Sequence, residues 1–102
     1  MNKILQESKK NQELFVKIRR ELHMNAETSQ NEVETSKIIK KYLDEFKIPY
    51  KSEVGGHGIV AEIDGIESGK IVALRADMDA LEMEEETEIS FKSKNKNVMH
   101  SC

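Results

Sequence analysis

One cysteine, one proline, no tryptophan, two tyrosines and three phenylalanines are all that the 102 residues contain of those types. A single cysteine closes no internal disulfide, so the fold is not a stapled scaffold, and Cys102 is left as an inert, a reactive or a metal-ligating thiol. Long hydrophobic runs are also missing. The longest aliphatic stretch, Ile71 to Leu74, is far too short to cross a membrane, and MNKILQESKK at the N-terminus carries only Ile4 and Leu5 before charge resumes, unlike a secretory signal. No membrane partner is therefore expected, and the chain reads as cytoplasmic. Neither sign of charge dominates: 16 Lys and Arg stand against 19 Asp and Glu, a net charge of −3, which argues against nucleic acid as the main partner.

What is present suffices for one small domain. Leu, Ile, Val and Phe supply 25 of the 102 residues, above the level of about 20% below which charged chains usually stay disordered. Folding at this length removes roughly 60–70% of the unfolded chain's surface, so the core is thin and sensitive to any missing neighbour.

From Gln12 to His23, Leu14, Ile18 and Leu22 recur at helical spacing with Phe15 beside them, which predicts an amphipathic helix. Ser29-Gln-Asn-Glu32 has the spelling of a capping box. It announces a second helix with Thr35, Ile38, Ile39, Tyr42, Leu43 and Phe46 on one stripe, stopped by Ile48 and Pro49. Tyr50, Ser52 and Val54 start a strand, Gly55-Gly56-His57-Gly58 turns, and Ile59 to Asp64 forms a second strand. Lys70 to Ala76 is the most strand-like run and has the apolar character of an interior strand covered on both faces. The expectation is an α/β fold of two helices followed by three strands. In such sheets the ends of interior strands carry the chemistry, and this one ends in Asp77-Met78-Asp79.

A D-x-D pair at a strand end can ligate a divalent cation, or hold a histidine ligand in orientation, since hard oxygen donors suit such ions and carboxylates fix imidazole tautomers. Its ordinary reading is a cap on the next turn or helix. Cys102, with His100 two residues upstream, is either a ligand or a small buried residue. Glu84, Glu85 and Glu86 read as a solvated acidic face rather than an acid and base pair, and His23 and His57 as helix-end and turn residues without catalytic work.

Four blocks taken in order carry more than any of them alone: LHMNAETSQNEVETS (22–36), GHGIVAEIDG (56–65), IVALRADMDALEMEEET (71–87) and VMHSC (98–102). Together they resemble the N-terminal segment of the metal-dependent amidohydrolases, the aminoacylase-like metallopeptidases that include hippurate hydrolase, the N-acyl-amino-acid amidohydrolases and the plant auxin-conjugate hydrolases. The likeness runs from about Leu14 to Cys102. The chain departs from the usual family spelling at Ala26 and Glu82, where the family writes proline.

The resemblance implies that residues 1–102 form the N-terminal segment of a zinc-peptidase-like catalytic domain, with the lid or dimerisation domain and the rest of the catalytic domain absent. It implies hydrolysis of the amide bond of N-acyl or N-aroyl amino acids at a centre of two divalent metal ions, whether zinc, manganese, cobalt or nickel. The substrate would be a small molecule, and self-association of the full-length protein stays open. On the family's pattern Cys102 is a metal ligand and Asp79 is the catalytic-site aspartate at the strand end. Asp77 falls where sister subfamilies place a ligating histidine. The family's Gly-His-Asp-Gly-His continuation and catalytic glutamate pair come after Cys102, so the chain alone is expected to be inactive. The competing reading is a non-catalytic α/β remnant serving as an interaction module.

Overall fold

The computed structural model describes residues 2–102. Three helices lead: α1 (Asn2–Lys10), α2 (Gln12–Met24) and α3 (Val33–Glu45). A hairpin follows, β1 (Tyr50–Val54) and β2 (Gly58–Ala61). The two expected helices are thus in place as α2 and α3, while α1 has no counterpart among the helices that the sequence predicts. It buries none of its residues and leaves Ile4 and Leu5 exposed, so local backbone bonds and the pair Lys10–Glu7 at 3.6 Å hold it rather than a core.

The start of α3 is capped, but not by the box spelled at Ser29–Glu32. Glu32 turns back to accept the Gln30 amide at 3.0 Å. The cap comes from Glu27, whose carboxylate accepts the amides of Glu34 at 3.1 Å and Thr35 at 2.6 Å. Burial alone would push the Glu27 carboxyl up, but these two amides and the Thr35 hydroxyl hold it below its ordinary range. The predicted stripe lies inward as far as Leu43 and leaves Phe46 exposed: Thr35 and Tyr42 are buried, and Tyr42 donates its hydroxyl to Glu21 on α2, joining the two helices.

Within the hairpin, Tyr50 pairs with Ala61 and Lys51 with Val60, and the register then shifts so that Val54 faces Gly58. A Cβ at Gly58 would lie 2.4 Å from the Val54 carbonyl oxygen, so only glycine closes this end.

Lys70–Ala76, expected as the third strand, forms no ladder. Ile71 and Leu74 are each 96% exposed. The reason is physical: an interior strand takes hydrogen bonds from neighbours on both edges, and here the sheet consists of β1 and β2 alone, so Lys70–Ala76 has a partner on neither side. The architecture remains that of the N-terminal part of the predicted α/β catalytic domain, with three helices and a two-stranded sheet.

Candidate active site

The four motif blocks, scattered in sequence, meet at one place. Ala80, directly after Asp79, is buried and donates its amide to the Glu27 carbonyl at 2.8 Å, forming a parallel bridge with Thr28. Leu81 and Met99 exchange both backbone hydrogen bonds at 3.1 Å as an antiparallel bridge. Because that bridge is antiparallel, stepping back from Leu81 to Asp79 and forward from Met99 to Cys102 leaves it in the same direction. The glycine turn closes the arrangement: Gly56 has φ +108°, and a Cβ there would sit 3.2 Å from Gln30 Oε1. A shallow polar cleft of about 330 Å³ results, with Ser29, Glu32, His57, Asp77 and Asp79 among its walls.

A second cluster lies behind the bridge. Glu85 is 3% exposed, unlike Glu84 and Glu86, which face solvent. Its carboxylate accepts bonds from the Thr87 hydroxyl, from the Ser93 amide at 2.9 Å and from His23 Nε2 at 2.8 Å. Those three donors, Thr87 foremost, outweigh burial and hold the Glu85 carboxyl at about 2. The His23 ring, on the last turn of α2, lies edge-on to Phe91 at 6.1 Å and tilted against His100 at 6.4 Å. Phe91 also carries the Arg20 guanidinium over its face at 4.4 Å. His100 Nε2 is buried and has no hydrogen-bond partner. Burial, and next the charge of His23, push His100 below the ordinary imidazole range, with Asp79 opposing them.

The predicted site residues stand as follows. Asp77 is exposed and paired with Arg75, whose Nε and Nη2 both lie 3.2 Å from Oδ1. Asp79 is exposed beside the buried Ala80, and Cys102 is a free, exposed thiol. Among the described residues no three or more His, Cys, Asp or Glu side chains are gathered so as to hold a metal ion. A thiolate and carboxylates are suitable donor types, but a zinc site takes three or four converging ligands. These residues therefore do not by themselves fit the metal centre that the resemblance implies.

No protein-family model matches the chain. Individual proteins do. The thermostable carboxypeptidase 2 of Saccharolobus solfataricus is 42% identical over 103 residues, covering 100% of this chain and 26% of that protein. Hippurate hydrolase of Campylobacter jejuni is 42% identical over 88 residues, covering 86% of this chain and 23% of the relative. Among solved structures, the Bacillus subtilis YXEP protein, a dinuclear metal-binding peptidase of the M20 family, superposes with a TM-score of 0.80 at 42% identity over 85% of this chain and 24% of its own. By sequence and fold the chain is similar to the N-terminal part of M20 amidohydrolases. It spans about a quarter of the length of the relatives it matches.

For an M20 segment, the buried residues that the sequence reading passed over are the informative ones. Glu85 was hidden inside a run of glutamates. Its one distinguishing neighbour is Thr87, a hydroxyl two residues on that bonds its carboxylate. His23 reads as a helix end, yet it is turned inward across 62 residues of sequence. Glu27, which caps α3 through its side chain and holds Ala80 through its carbonyl, shares the first M20 block with His23.

Proposed function

We propose that the protein takes part in metal-dependent hydrolysis of the amide bond of N-acyl amino acids, releasing a carboxylic acid and a free amino acid. The observation that carries this reading is the convergence of the first three blocks on one cleft, with Asp77 and Asp79 in its wall, while the fourth block is joined to the third by the Leu81–Met99 bridge, so that Cys102 leaves that bridge in Asp79's direction. Hippurate hydrolase and the carboxypeptidase share one bond type as targets, an amide whose leaving amine belongs to an amino acid. Divalent metal ions belong to this reading, with Cys102 and Asp77 as ligands and Asp79 as the supporting carboxylate; the neighbouring peptidase is dinuclear. Residues 1–102 would be the N-terminal segment of the catalytic domain, and this segment alone would have no turnover, since the donors it holds are not gathered.

A chimera tests the assignment. Residues 1–102 replace the matching segment of hippurate hydrolase, and hippurate hydrolysis is measured with zinc, manganese or cobalt supplied. The chimera is expected to be active, and Cys102→Ser and Asp79→Asn each to lower kcat/KM by about 100-fold or more. Activity that both substitutions leave unchanged would overturn the site assignment.

A further inference from the structure

The loop between Asp79 and Cys102 is tied to the rest of the molecule at few points. Its two ends are joined by the Leu81–Met99 bridge. Its middle is anchored to the C-terminal end of α2 and the residues after it: Lys94 donates its amide to the Met24 carbonyl at 2.8 Å, and Asn95 Nδ2 donates to the Ala26 carbonyl at 2.6 Å. Both contacts come directly after Ser93, whose amide bonds the buried Glu85 carboxylate, and that same oxygen receives His23 Nε2. Glu85 thus takes donors from three segments, α2 through His23, its own stretch of the loop through Thr87, and the far side of the loop through Ser93.

We propose that His23 and Glu85 form a positioning pair that locks loop 81–99 onto α2 and thereby sets the Leu81–Met99 bridge from which Asp79 and Cys102 extend. Neither residue touches the cleft that the M20 reading assigns to substrate; both act through the bridge. The pair is buried on the Glu85 side and nearly so on the His23 side, with side-chain exposures of 2% and 17%, so its bond is made where an unpartnered carboxylate would be costly. The His23 ring also lies 6.4 Å, centroid to centroid, from His100, the residue after Met99, so the same side chain is bonded to Glu85 and sits beside the Met99 end of the bridge. The inference rests on the M20 reading only for what Asp79 and Cys102 would do, not for the locking itself.

Amide hydrogen exchange on the full 102-residue chain tests it, comparing the parent with His23→Gln and Glu85→Gln. The expected result is exchange at the Leu81, Ser93 and Met99 amides faster by about tenfold or more in both variants, with the α3 amides from Ile38 to Leu43 within about twofold of the parent. Uniform acceleration in every element of His23→Gln would mean a merely structural role and would overturn the proposal. So would unchanged exchange at Leu81 and Met99, or amides there already unprotected in the parent. Should Glu85→Gln unfold, His23→Gln, which alters a partly exposed side chain, decides the matter alone. None of these outcomes depends on the chimera, so failure of the positioning pair and failure of the amidohydrolase reading are read separately.

Discussion

Glu85 bears a charge that water barely reaches, and three donors compensate it. Its carboxyl sits at about 2 in the folded chain, below the ordinary value near 4.5. A carboxyl depressed on folding contributes stability that is complete above its unfolded value and lost as pH falls through its folded value. Stability should therefore decline as pH drops from about 4.5 towards 2, through a step that Glu85→Gln removes. Denaturant titrations across that range check it, and equal acid sensitivity in parent and variant would contradict it. At this scale the sequence was only partly legible. Asp77, Asp79 and Cys102 are marked by spacing and by family blocks. Glu85 is spelled like its solvated neighbours Glu84 and Glu86, and only the fold distinguishes it.

The elements were legible where order is local. The helical stripe beginning at Leu14 became α2, and the glycine turn at 55–58 became the hairpin. Where order depends on a distant partner, legibility stopped. Lys70–Ala76 has the composition of an interior strand, yet strand state needs a neighbour, and none pairs with it. The cap of α3 failed for a similar reason: the capping-box spelling was satisfied locally, but Glu27, seven and eight residues upstream of the amides it accepts, supplied the bonds. Glu27→Ala should accordingly destabilise α3 by about 1–2 kcal/mol. Far-UV circular dichroism melts measure this. A substitution at Glu32, whose side chain makes no cap bond, should cost less, and the reverse order would refute the assignment of the cap.

The whole molecule is extended for its length. Its radius of gyration is 15.7 Å, against about 13 Å for a compact chain of this size. Its accessible surface is 8749 Å², where a folded monomer of its 11.7 kDa mass exposes about 5,900 Å². Much of that excess is apolar and lies in segment 62–79, where Ile63, Ile66, Ile71 and Leu74 have no cover. Among the described residues the buried apolar core is limited to Ala26, Tyr42 and Ala80, and two of these three lie in the motif blocks that build the cleft. The same half-built character holds for the chemistry: the cleft is in place, its candidate donors are at its edge, and no three of them converge among the described residues. The most direct measurement is therefore an assay of the purified 102-residue chain for release of amino acid from hippurate and N-acetyl amino acids, with zinc, manganese or cobalt added. The account predicts no metal-dependent release. Metal-dependent turnover by this chain, abolished by Cys102→Ser, would contradict it and would mean that residues 1–102 assemble a complete centre.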